Sequence, residues 1–162
     1  MEKPIRKLPR MRGVDYSLEA VYFVTICSHE HKCIFGDILR IGDSNVFSPS
    51  RIGELVEENF FQLPDRFPEF ALIHFSLLPN HLHFLTVKKN TDRDISKSLS
   101  DFVGAFKSLS DRAVRNEMPG IRIWQKSFHD LIIRDEKDFQ TDRKSTRLNS
   151  SHTATSRMPS SA

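Results

Sequence analysis

The sequence has only two cysteines, Cys27 and Cys33, one tryptophan, and two tyrosines, Tyr16 and Tyr22, among its 162 residues. Two cysteines are too few for a disulfide framework, so a secreted, disulfide-stapled fold is excluded and a reducing compartment is expected. Long apolar runs are missing too. The longest, AVYFVTIC at 20–27, falls far short of the roughly 20 residues a membrane-crossing helix needs. The basic N-terminus leads into no apolar signal segment. These absences point to one cytoplasmic globular domain with no membrane partner, and the 38% hydrophobic content is ordinary for such a domain.

Charge of one sign is also scarce once it is located. The net charge of +3 coincides with residues 142–162, where four basic residues face one Asp; residues 1–141 hold twenty of each sign. Within that neutral body, MEKPIRKLPRMR carries Lys3, Arg6, Lys7, Arg10 and Arg12 against Glu2. A short basic arm beside a mildly acidic body can hold phosphates, although a solvated tail has the same composition.

Residues 142–162 differ from the rest. Nine of these 21 residues are Ser or Thr, and none is aromatic, whereas all 13 Phe lie at or before Phe139. Such a segment cannot bury enough apolar surface to fold. Asp142–His152 and Ser156–Ala162 also back-translate, in one frame, into two parts of a widely used short-read sequencing adapter. The expectation is therefore a domain over 1–141 followed by a disordered, non-native tail over 142–162.

The body shows a regular order of elements. AVYFVTICS at 20–28 is rich in β-branched and aromatic residues and predicts a buried strand. SPSRIGELVEENFFQL predicts a helix with Ser48 as N-cap and Pro49 in its first turn, since Ile52, Leu55, Val56, Phe60 and Leu63 share one helical stripe. EFALIHFSLL and HLHFLTVKK predict two strands joined at Pro79-Asn80. A second helix is predicted from about Ile95 through Leu109, and a further strand within IRIWQKSFHDLIIRD. Strand, helix, strand, strand, helix, strand is the order of an α+β ferredoxin-like sandwich, an antiparallel sheet with helices on one face.

The chemistry concentrates in PNHLHFLTV. Side chains alternate along a strand, so His81 and His83 point to one face, with Cβ atoms roughly 7 Å apart, while Leu82 and Phe84 point to the other. Two imidazoles so placed can converge on one metal ion, although the bare pattern by itself is better explained by two partly exposed surface histidines. The alternation Cys27, His29, His31, Cys33 in CSHEHKC lacks the Cys-x-x-Cys knuckle that curls around zinc, so zinc is not expected there. Asn80 fits an orienting role or plain turn chemistry. Trp124 fits base stacking or a core position.

YFVTICS, CIFGDI, LLPNHLHFL, GAFKSLSDR and IWQKSFHDLIIRDEKDF, in this order and at these spacings, resemble the REP-associated tyrosine transposases. That family is a bacterial branch of the single-tyrosine HUH transposase superfamily, and the resemblance spans about residues 6–140. It implies a DNA transposase that cuts and rejoins single-stranded or hairpin DNA through a phosphotyrosine intermediate. It also implies Mg²⁺ or Mn²⁺ held by His81 and His83 together with an oxygen ligand, because imidazoles alone are soft donors for such ions. Lys107 matches the family's Phe-Lys-Ser and is implied as a phosphate contact, although a solvated helix face explains it at least as well. The family's nucleophile stands in a Tyr-x-x-x-Asn helix after the stretch matching IIRDEKDF, whose Asn resembles the third ligand. This sequence enters the 142–162 segment before either residue, and neither Tyr16 nor Tyr22 matches the nucleophile. The expectation is a transposase domain without its catalytic tyrosine, inactive in this form, monomeric or homodimeric; the rival reading is a non-catalytic nucleic-acid-binding module.

Overall fold

The computed structural model describes residues 20–89 and 97–133. The basic arm with Lys3, Arg6, Lys7, Arg10 and Arg12, as well as Tyr16, Ile95 and residues 142–162, lie outside them. In chain order the elements are β1 (Ala20–Cys27), a 3-10 turn (His29–His31), β2 (Gly36–Ile41), β3 (Ser44–Pro49), α1 (Arg51–Phe61), α2 (Leu63–Arg66), β4 (Phe70–Leu78), β5 (His81–Lys88), α3 (Leu99–Glu117) and β6 (His129–Ile133). Strands β4-β5-β1-β6 form one sheet in that order, with every neighbouring pair antiparallel. Each helical crossover thus skips a strand: β1–α1–β4 spans β5, and β5–α3–β6 spans β1. This is the α+β ferredoxin-like arrangement expected from the order of elements.

The period-2 pattern of the strands decides which face is dry. Tyr22, Val24 and Ile26 on β1 and Leu82 and Phe84 on β5 are buried in the same cluster as Val56 and Phe60 of α1 and Phe102, Val103 and Phe106 of α3. Phe60 sits at the centre, its ring 4.5 Å from Phe75, 5.1 Å from Phe84 and 5.2 Å from Phe106. Aromatic pairs at such separations add about 0.5–1.5 kcal/mol each beyond simple burial. At the surface, Arg51 of α1 clamps the Glu117 carboxylate of α3 with two N–H donors at 2.9 and 2.7 Å.

Three features differ from the expectation. Residues 36–49 form a second, two-stranded antiparallel sheet, β2–β3, turning at Gly42 with φ 61°. The Gly42-Asp43 step supplies the positive φ that a tight hairpin turn requires. The helix N-cap is Ser50 and not Ser48, because Ser48 and Pro49 are still paired with Asp37 and Gly36. The Ser50 hydroxyl accepts from the Gly53 N–H at 3.1 Å and donates to the Ile34 carbonyl at 2.6 Å. The second helix starts after Ser98, which forms a reciprocal capping box with Asp101. Among the described residues no helix is long and apolar enough to cross a membrane.

Candidate metal centre

Antiparallel pairing places directly opposite residues on one face of the sheet. Leu78, His81 and Cys27 lie in one such row across β4, β5 and β1. Ser76, His83, Thr25 and His129 form the next row, across all four strands. The two histidines therefore share the face opposite α1 and α3, as their spacing predicts. Their ring centroids are 4.6 Å apart with planes at 78°.

Each imidazole has a hydrogen-bond partner at Nδ1. Thr25 Oγ1 lies 2.8 Å from His83 Nδ1, and Phe23 stacks on the same ring with centroids 5.3 Å apart. Asn80 Oδ1 lies 2.6 Å from His81 Nδ1. Burial, followed by the neighbouring His81 and His74, holds His83 down at about 4. Burial, then the nearby His31, lowers His81 from its ordinary value as well. Both groups are thus neutral imidazoles near neutral pH, the form that ligates a metal. Their chemistry fits two of the ligands of a divalent ion. Among the described residues no three His, Cys, Asp or Glu side chains are grouped to hold an ion on their own.

The rim of the centre is the segment 28–35, laid against the Pro79-Asn80 turn. Ser28 N–H donates to the Asn80 carbonyl at 2.8 Å, and Phe35 N–H to that of Pro79 at 2.9 Å. Within this rim Glu30 and His31 adopt φ of 55° and 54°, a left-handed conformation that costs a non-glycine residue about 1–2 kcal/mol. Local bonds hold it in place: Ser28 Oγ donates to the Lys32 carbonyl at 2.7 Å, and Gln125 Nε2 meets His31 Nε2 at 2.9 Å. The Cys27, His29, His31, Cys33 alternation forms no cluster, since Cys27 lies on the sheet and Cys33 is exposed beyond the turn.

Lys107 projects from α3 toward the segment that leads into β6. Its Nζ donates to the carbonyls of Gln125 and Ser127, both at 2.9 Å, and lies 5.9 Å from the centre of the Phe128 ring. Trp124 belongs to the core: it is 6% exposed, packs on Phe35 and Phe106 and donates from Nε1 to Ser110 Oγ at 2.9 Å. Tyr22 is fully buried on the helix-facing side of β1, the packing position expected for it. Thr25, Phe23 and Gln125 are site neighbours that the sequence alone does not single out, and His31 stands out there only in the alternation read against zinc. Thr25 and Phe23 follow only from the strand register, and His31 and Gln125 only from the folded loop.

No protein-family model matches the chain. It is 25% identical to an uncharacterised protein of Haemophilus influenzae over an alignment of 151 residues, covering 83% of this chain and 82% of that protein. Among solved structures it is similar to a REP-associated tyrosine transposase bound to a REP hairpin, with TM-score 0.57 and 14% identity, over 86% of this chain and 72% of that one. It is also similar to a candidate transposase from Deinococcus radiodurans R1, with TM-score 0.52 and 16% identity, over 90% of this chain and 98% of the other. The chain shares its fold with these two proteins.

Proposed function

We propose that the chain is a REP-associated tyrosine transposase domain whose His81 and His83 hold a catalytic divalent ion, Mg²⁺ or Mn²⁺, facing single-stranded hairpin DNA. The observation that carries this reading is the pair of neutral imidazoles, each hydrogen-bonded at Nδ1, on the helix-free side of a sheet whose fold is shared with a hairpin-bound transposase. An ion bound there would polarise a scissile phosphate and neutralise charge developing during displacement. The residues present do the rest of the local work. Thr25 and Asn80 anchor the rings, Phe23 walls off one side of His83, and the basic residues Lys3, Arg6, Lys7, Arg10 and Arg12 draw in the phosphate backbone with a strong salt dependence. Lys107 adds positive charge beneath the 125–128 segment.

Covalent strand transfer also needs a tyrosine whose oxygen can reach phosphorus. Tyr22 is buried in the core, and Tyr16 does not match the family's nucleophile, so neither is proposed as the attacking group, and ion and DNA binding without adduct formation is the behaviour proposed for these 162 residues. The test is calorimetric Mn²⁺ titration of the wild type and of the His81→Ala/His83→Ala variant, with denaturing gels of the protein mixed with labelled hairpin DNA. We expect Mn²⁺ binding that the double substitution abolishes, and no denaturant-resistant protein–DNA adduct. Unchanged Mn²⁺ affinity in the double variant would sink the metal assignment. An adduct mapped to Tyr16 or Tyr22 would sink the account of catalysis.

A further inference from the structure

The geometry points to Asn80 as a positioning residue that locks His81 in the tautomer whose Nε2 lone pair is free to bind a ligand. Its value to the protein rests on the metal reading above, but the tautomer itself does not. The His31 carbonyl can only accept a hydrogen bond. Asn80 Nδ2 donates to it at 3.3 Å, and an inverted carboxamide would set two acceptor oxygens against each other. The orientation of the amide is therefore dictated from outside the histidine pair, and it leaves Oδ1 facing His81 Nδ1 at 2.6 Å. A carbonyl oxygen also accepts only, so Nδ1 must carry the proton, and the lone pair of the neutral ring falls on Nε2.

The backbone around Asn80 makes this arrangement rigid. Its carbonyl accepts from Ser28 N–H at 2.8 Å, and the preceding Pro79 carbonyl accepts from Phe35 N–H at 2.9 Å. His31 is held in its left-handed conformation with its ring against Gln125, so the reference carbonyl is fixed as well. His83 has no such device. Its partner, the Thr25 hydroxyl, both donates and accepts, and so fits either tautomer. Asn80 therefore does more than shape a turn, since a hydrogen bond behind a ligating histidine selects which nitrogen faces the metal.

The test is the two-bond ¹⁵N–¹H spectrum of metal-free protein labelled at histidine, at neutral pH, with Mn²⁺ affinity measured in parallel. The wild type should show His81 with Nδ1 protonated. Asn80→Asp keeps an acceptor in place and should retain that tautomer. Asn80→Ala should shift His81 toward the Nε2-protonated form that imidazole favours in water and weaken Mn²⁺ roughly tenfold to a hundredfold. An Nε2-protonated His81 in the wild type, or an unaltered tautomer in Asn80→Ala, would overturn the inference. A shifted tautomer with undiminished Mn²⁺ affinity would overturn the positioning role. If His81→Ala leaves Mn²⁺ affinity unchanged, it is the metal reading that fails, while the wild-type spectrum still decides the tautomer.

Discussion

Thr25 on β1 places its hydroxyl 2.8 Å from Nδ1 of His83, the residue directly opposite it on β5. The contact joins the two central strands through side chains as well as backbone, and it fixes the azimuth of a ring that Phe23 stacks against. Thr25→Val keeps the shape and removes the hydrogen bond. The partner nitrogen then loses its bond in a part-buried setting, so urea unfolding should report a loss of about 1 kcal/mol. Mn²⁺ affinity should fall about tenfold, as it does when groups behind a metal ligand are removed. Unchanged affinity in a folded variant would show that the hydroxyl does not orient the ring.

The low value of His83 makes the metal-free protein acid-sensitive in a defined window. Between its ordinary 6.5 and about 4 in the folded state, the unfolded chain binds a proton there and the folded chain does not. Stability is therefore complete above about 6.5 and falls as pH drops toward 4. Each unit of separation is worth about 1.4 kcal/mol, so the loss is on the order of 3 kcal/mol. His81, lowered in the same direction, steepens the fall. Urea midpoints measured across this window should decline, and the decline should be shallower in His83→Gln. Equal slopes in the two proteins would mean that the imidazole is not desolvated as described.

Much of this fold can be read from one-dimensional periodicity, and what cannot be read depends on contacts between distant segments. The alternation of HLHFL places His81 and His83 on one face because a strand's period is 2 in any context. The stripe from Ile52 to Phe60 marks α1 but not its start. Ser48 and Ser50 are equally good caps in isolation, and only the pairing of Pro49 with Gly36 decides between them. The hairpin β2–β3 escapes a periodicity reading although Gly42-Asp43 signals a turn, because its strands bury only one residue each and carry no clean apolar alternation. Thr25 becomes a site residue only through its register with His83, and the choice between an orienting role and plain turn chemistry for Asn80 turns on the left-handed segment that brings the His31 carbonyl within reach.

Gly53 marks where α1 docks, and its replacement should be costly. A Cβ at this position would lie 2.0 Å from the Phe35 carbonyl oxygen, which also accepts from Ser50 N–H at 2.9 Å. Backbone cannot move aside as a flexible side chain would, so Gly53→Ala should destabilise by about 1–3 kcal/mol or more, despite alanine's better helix propensity. A thermal melt at or above the wild-type midpoint would show that α1 can shift away from Phe35. Ser50→Ala, which removes the cap, should cost about 1 kcal/mol.

Lys107 separates a structural role from a nucleic-acid role. Its ammonium donates to the carbonyls of Gln125 and Ser127, so it fastens α3 to the segment that carries Gln125 against His31. Hydrogen bonds from a charged donor contribute about 1.5–3 kcal/mol each, and Lys107→Met would leave two carbonyls without it. Urea unfolding should therefore report a loss of about 3 kcal/mol or more. The released Gln125 should free the His31 ring, seen as altered His31 and His81 imidazole signals in ¹⁵N–¹H spectra. A phosphate-contact role makes the opposite forecast: stability unchanged, hairpin-DNA affinity reduced, and a salt dependence shallower by about one counterion. The carbonyl distances favour the first outcome, and a Lys107→Met protein that keeps its stability while losing DNA affinity would refute it.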